Sequence, residues 1–485
     1  MSSQKDPSIF RCQPIFREIS FQNPFAAYSK VRAESSLLFE SLKGPEQISR
    51  YSFIGIEPYL IFKAKNGLIE IDFLGRKTIS YGKPLQRLRQ LVNAVSHDPV
   101  EGLPPFQGGA AGMFSYDFVR YFENLPSIAE DDLTIPDAHF FMFDRVIAFD
   151  LKKKKCWIII CPGARDILPG FSDISKSQEE LDKEARKHIE RIALLIEQDS
   201  ELVPREAGRK TVAIFAETDM EQYMAMVQRA KEYIAAGDIF QANLSLRLSA
   251  DIGDTDPLIV YEILREVNPS PFSAYLDFGD YQIVSSSPER LVRVNGRAVD
   301  TRPIAGTRPR GKDIQGDDEM KAELLLNEKE RAEHIMLIDL ERNDMGKVCD
   351  YGSVHVDELM TTEQYSHVIH IVSNVSGTLA NGMDCFDVIK ATFPGGTITG
   401  VPKVRCMEII DELEQRRRGP YTGSIGYIGH NANMDLNIII RTFLVKEGKA
   451  YVQAGAGIVA DSEPEREYYE SLKKAEALIN TLQML

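Results

Sequence analysis

Long apolar runs, paired cysteines and phosphate-binding glycine motifs are all missing from these 485 residues, and each absence closes off a class of protein. No stretch of about 18 apolar residues occurs, so nothing reads as a membrane-spanning helix. The opening MSSQKDPSIFRC has no apolar region of the kind a secretory signal needs. Six cysteines (Cys12, Cys156, Cys161, Cys349, Cys385, Cys406) stand apart, with no CxxC and no zinc-like spacing, which points to reduced thiols and a cytoplasmic setting. Neither GxxxxGKS/T nor GxGxxG is present, so a nucleotide cofactor has no support. No internal repeat suggests a solenoid or propeller. Positive charge is scarce too, with 57 Lys and Arg against 72 Asp and Glu. Nucleic acids and acidic membranes usually meet a basic footprint, so the net charge of -15 argues against both. An enzyme of this charge that takes an anionic substrate must gather its cations locally or recruit a metal ion.

What is present is a hydrophobic content of 43%, enough for one large core or two. Residues 1–165 read as mostly β, through runs such as YSFIGI, YLIFKA, GLIEIDFL, HFFMFDRVIAFDL and KCWIIICPG. The interval 166–212 is polar and charged, contains the helix pattern SKSQEELDKEARKHIERIALLIEQ, and reads as a connector. Residues 213–485 open on a helix, DMEQYMAMVQRAKEYIAAG, which Gly237 is placed to end. Strand patterns follow, then a helix across KAELLLNEKERAEHIMLIDLERND and a last helix from Glu463 to about Gln483. The pattern predicts an α+β fold with long strands and peripheral helices.

Three groups of residues have chemical potential. Glu330 with Glu333, and Glu467 with Glu470, are acidic doublets whose spacing of three puts both members on one helical face. Four carboxylates from two helices would suit Mg²⁺, although such a helix equally fits a solvated charged face. FPGGTITGVPK (Phe393 to Lys403) and AGAGI (Ala454 to Ile458) bring glycine N–H groups that can approach an anion, or else form tight turns between strands. In SSSPERLVRVNGRAVDTRPIAGTRPRG, Glu289 lies 16 residues before Ala305. A carboxylic acid there could protonate a departing hydroxyl, and SPER equally fits a surface turn.

Taken in order, GDIFQANLSLR, NPSPFSAYL, SSSPER, RPIAGTRPRG, NEKERAEHIMLIDLERND, YSHVIHIVS, FPGGTITGVPKVRCMEIIDELE, GSIGYIGHNANMDLNIIIRT and YVQAGAGIVADSEPEREYYESLKKA resemble the chorismate-utilising enzymes of the anthranilate and aminodeoxychorismate synthase family. The likeness runs from about Phe215 to Leu478, and RYSFIGIEP with PPFQGGAAGMFSYD extends it into the N-terminal region. It implies the family's fold, large antiparallel sheets in a sandwich with helices outside. By the same resemblance Glu330, Glu333, Glu467 and Glu470 match magnesium-site acids, with Glu333 and Glu467 the better fits. Arg441, Tyr451, Gly455, Ala456, Gly457 and Lys474 match positions that hold the substrate carboxylates. Glu289 matches the acid that protonates the leaving C4 hydroxyl, His370 an active-site histidine, and Thr397 with Gly396 a substrate contact. Ala305 and Thr307 fall in the matching PIAGT segment.

Family members differ in their nucleophile. Those that hydrate chorismate resemble one another in an activating Lys where this chain has Gln241. Ammonia needs no such base, so Gln241 favours amination. Asn243, Gly396, Ile398, Ser424 and the DLNI run at Asp435 to Ile438 look like aminodeoxychorismate synthases, which serve 4-aminobenzoate and folate biosynthesis. Ala305 dissents: PIAGT is typical of anthranilate synthases, which serve tryptophan biosynthesis, and many aminodeoxychorismate synthases have Lys there. The reading favours aminodeoxychorismate synthase, with anthranilate synthase as the alternative and a non-catalytic relative as a third. LLFES (Leu37 to Ser41), Ser52 and NPSPF resemble a tryptophan pocket, with Leu38, Glu40, Ser41, Ser52, Asn268, Pro269, Ser270 and Pro271 as its candidate residues; Phe39 departs from the usual LLES, and plain core packing explains the same segment. No cysteine sits in a GxCxG-like turn, so ammonia is expected from a separate glutamine amidotransferase subunit.

Overall fold

A computed structural model describes residues 9–167, 176–198, 212–311, 313–364 and 368–485. Two twelve-stranded sheets dominate it, and every strand pairing within them is antiparallel. In both, strands from the two ends of the chain are interleaved. Gly109–Phe114 pairs with Ser424–Gly429 in one sheet, and Ser36–Glu40 pairs with Phe272–Asp277 in the other.

Alternation along the strands explains why their sequences are continuously apolar rather than half polar. Leu37, Phe53, Phe141, Phe143, Val146, Trp157, Leu276 and Tyr427 form a cluster fed by both sheets, which is the interior of the sandwich. Their neighbours Leu38, Ile54, Phe140, Met142, Ile147, Ile158 and Ile428 point the other way, into a larger cluster shared with the helices. Strands covered on both faces have no polar side to show. The α+β sandwich with outer helices is therefore what the chain adopts.

Helix ends follow local chemistry. Met220–Ala235 starts at a reciprocal Asp219 and Gln222 capping box, and Gly237 beyond it lies in the left-handed region at φ +84°. The single helix expected across KAELLLNEKERAEHIMLIDLERND is two, Ile314–Leu326 and Glu328–Gly346. Asn327 divides them because its extended backbone lets its side-chain oxygen accept the Glu330 N–H at 3.0 Å. That break puts Glu330 in the first turn of the second helix. In the connector, Gln178–Glu197 is a helix capped by Ser177 and Glu180; residues 168–175 and 199–211 lie outside the described residues.

Candidate active site

Two segments cross from one sheet to the other side by side. Pro288 and Glu289 link the strand Tyr281–Ser287 to Arg290–Asn295 in the opposite sheet; Ile438 to Arg441 link Met434–Asn437 to Thr442–Lys446. They are stitched together by Ile438 N–H donating to Glu289 O (3.0 Å), Ser287 Oγ to Ile438 O (2.6 Å) and Ser286 N–H to Arg441 O (3.1 Å). Arg441 has φ +54°, an unusual conformation for a residue with a side chain and of the kind that gathers at functional sites.

Glu289 is buried, and its Oε1 accepts the Thr397 hydroxyl at 2.8 Å. Burial pushes its pKa up to about 8, against the opposing pull of the Thr397 hydrogen bond, and the Glu341 carboxylate raises it further. At neutral pH it is therefore mostly a neutral acid, the state that can give a proton away. The Ile304 amide acts on Glu289 and slightly opposes the rise, and the next residue in the chain is the half-buried Ala305. Thr307 lies opposite His370 in the ladder, and its side chain is outside the described residues.

Positive charge collects around Arg441. It has no ion-pair partner among the described residues, and burial lowers its pKa. His370 is held through Nδ1, which donates to Gly306 O at 3.1 Å. Its pKa falls to about 4 through burial, with Arg441 and Lys474 adding to the effect, so it stays neutral. Lys474 Nζ donates to Gly455 O at 3.1 Å. Gly455, Ala456 and Gly457 are within the strand Lys449–Ile458, not in a turn, opposite Ser245, Leu244 and Asn243. A Cβ on Gly455 would stand 2.3 Å from Leu244 O, and one on Gly457 2.3 Å from Gln241 Nε2. Close strand approach thus requires glycine at 455, whereas at 457 the Gln241 side chain fills the space a Cβ would take. Gln241 Oε1 and Asn243 Oδ1 are buried without a partner.

Tyr451 is not brought to this cluster. It lies under the Arg247 guanidinium, 5.6 Å from ring centre, in the field of Glu217 and Asp132. The tyrosine beside Arg441 is Tyr421, whose pKa burial raises and whose charge couples to that arginine. Arg418 was likewise not singled out from the sequence: it is buried, bonds Glu414 (2.8 Å), Ile398 O (2.9 Å) and Asn243 O (2.7 Å), and packs over the rings of Tyr116 and Tyr421. The string RRRGPYTG was available as a signal for both.

The four acids are carried by two helices that pack on different sheets. The helix Glu328–Gly346 packs on the strands Ile304–Pro309 and Val368–Thr378, whereas Pro464–Gln483 packs on Lys449–Ile458. Glu330 Oε1 accepts from Arg308 at 2.6 Å while its Oε2 is buried without a partner. Glu470 is exposed and paired with Lys474 at 2.8 Å. Glu333 and Glu467 are half-buried. Among the described residues no three His, Cys, Asp or Glu side chains form a metal-holding group. The orphaned Oε2 of Glu330 is nevertheless a hard oxygen placed to take a cation, and Mg²⁺ needs only one or two such carboxylates when substrate and water complete its shell.

A cavity of about 1000 Å³ lies on the other side of the crossover, walled by Glu40, Ser41, Pro271, Tyr51, Tyr427 and Arg290 among others. Glu40 is committed to Tyr261 (2.8 Å) and Arg265 (3.0 Å). Leu38, Ser52, Asn268, Pro269 and Ser270 are not part of the wall. Ser52 Oγ accepts the Ser41 N–H at 3.2 Å and so supports the wall from behind, whereas Asn268 donates to Ser286 Oγ at 3.2 Å, away from the lining.

The family model described as chorismate binding enzyme matches residues 34–480. An aminodeoxychorismate synthase component 1 from Bacillus subtilis is 44% identical over 97% of this chain and 96% of its own length. An anthranilate synthase component 1 from Thermus thermophilus is also 44% identical, over 96% of each chain. The crystal structure of anthranilate synthase component I from Streptococcus pneumoniae superposes with a TM-score of 0.76 at 34% identity, covering 94% of this chain and 97% of that one.

Proposed function

Because the chain belongs to the chorismate-binding enzyme family, we propose that it aminates chorismate to 4-amino-4-deoxychorismate, using ammonia from a separate glutamine amidotransferase subunit, on the route to 4-aminobenzoate. The observation that carries the reading is the pairing of a neutral, buried Glu289 with an Arg441 that has no ion-pair partner among the described residues. Chorismate is a dianion that must lose a hydroxyl, and these two groups answer those two needs. Arg441, the Lys474 ammonium and the Gly455 to Gly457 backbone take the carboxylates. Glu289, steadied by Thr397, donates its proton to the departing C4 oxygen, which leaves as water. Neutral His370 sits beside Arg441 without adding a like charge. A bound magnesium ion, with Glu330 foremost among its ligands and Glu333 and Glu467 beside it, would supply the remaining charge neutralisation for the substrate. With Ala305 in place of a nucleophilic lysine, ammonia attacks the ring directly.

Anthranilate is the second reading, favoured by Ala305 and by the equal identity of the Thermus relative. Product identification decides between them. The purified chain, given chorismate, Mg²⁺ and ammonium at alkaline pH, is expected to form a product that yields 4-aminobenzoate only after a lyase is added. Fluorescent anthranilate appearing together with pyruvate would overturn the assignment. We place an aromatic amino-acid effector, tryptophan first, in the cavity next to Arg290.

A further inference from the structure

The helix Glu328–Gly346 touches the candidate site twice. Its first turn carries Glu330, and about 16 Å further along the axis comes Glu341, buried behind the Glu289 acid. The peptide N–H of Gly396 faces the Glu341 carboxylate, and Thr301 Oγ1 lies 3.3 Å from its Oε2. Gly396 opens the short turn Gly396–Ile398, whose next residue, Thr397, donates to Glu289. The turn lies directly on the helix: a Cβ at 396 would stand 2.3 Å from Leu340 Cδ2 and 3.6 Å from Glu341 Oε1.

We propose that Glu341 is a positioning residue for the general acid, clamping through the Gly396 amide the turn that aims Thr397 at Glu289. Glu341 is also the charged side chain whose field reaches Glu289, and a negative charge there opposes ionisation of the acid. Burial pushes Glu341 itself up to about 7, with Lys403 opposing and Asp344 adding to the rise, so it carries its charge mainly over the range near pH 8 in which Glu289 gives up its proton. Lys403 is itself occupied by Asp344, Pro394 O (2.9 Å) and Thr392 O (3.2 Å). The helix that carries Glu330 thereby also sets the geometry and the proton affinity of the acid.

The inference rests on the reading of Glu289 as the proton donor, and its test is separable from that reading. Infrared difference spectra against Glu289→Gln follow the Glu289 carboxyl in the free protein without substrate. In Glu341→Gln the amide oxygen keeps the clamp and the charge is gone; the Glu289 midpoint is expected to fall by about one pH unit. The high-pH limb of kcat should move with it while KM for chorismate stays put. Glu341→Asp keeps the charge but withdraws the clamp, and should lower kcat at every pH without moving the limb. An unmoved midpoint in Glu341→Gln, or wild-type kcat in Glu341→Asp, would overturn the proposal; the second variant alone decides it if the first fails to fold. A shifted midpoint in a protein that leaves chorismate untouched would instead refute the functional reading.

Discussion

Glu289 carries two consequences that can be measured apart. Replacing it with Gln keeps the shape and removes the proton, so turnover should fall by about 10²- to 10⁴-fold while chorismate still binds. The same change should stabilise the fold. Between its ordinary value near 4.5 and its folded value of about 8, the folded protein holds a proton that the unfolded chain has released. Stability from that group is full below pH 4.5 and is lost as pH rises toward 8. Glu289→Gln should therefore raise Tm more at pH 8 than at pH 5, and an equal gain at both would contradict the buried-acid description. Ala305→Lys is expected to alter the product distribution, as chromatography of the reaction would reveal. Single residues were legible where a motif string contained them, as with Glu289, Thr397 and Arg441. Tyr451 was misplaced because it stands in the right string and on the same strand face as Gly455 and Gly457. Four residues along a strand is about 13 Å, however, and that carries its ring to the Arg247 cluster.

Among the elements, the segment that follows the helix Lys403–Leu413 does the most joining. Arg418 ties the Gly396–Ile398 turn, the strand Gln241–Asp251 and Glu414 together from a buried position. Arg418→Met would leave the Glu414 carboxylate buried and unpaired, and should cost roughly 3–5 kcal/mol in urea unfolding. Adding Glu414→Gln should recover part of that loss, and a cost below about 1 kcal/mol for the single change would show that the pair is not structural. Helix periodicity and caps were readable at this scale, and so were the strands. Two things were not. The Asn327 break is a one-residue competition between a side-chain cap and helix continuation, invisible to periodicity. The strand setting of AGAGI depends on a partner some two hundred residues earlier in the chain, which glycine content does not name.

At the scale of the molecule, the two regions read from sequence share both sheets, so neither can close its own edges alone. A fragment of residues 1–165 should show no cooperative unfolding, and a sharp calorimetric transition from it would contradict the interleaved topology. Composition and alternation foretold the sandwich's apolar strands; which strand sits beside which was legible only through family resemblance, since long-range pairing leaves no local mark. The sheets matter to function because two neighbouring crossovers between them carry site residues, Glu289 on one and Arg441 on the other. Chorismate disappearance in the presence of the purified chain, Mg²⁺ and ammonium bears on all of this at once. Steady consumption that Glu289→Gln slows by at least about 10²-fold is the expected result, and chorismate left intact by the folded wild-type protein would contradict it.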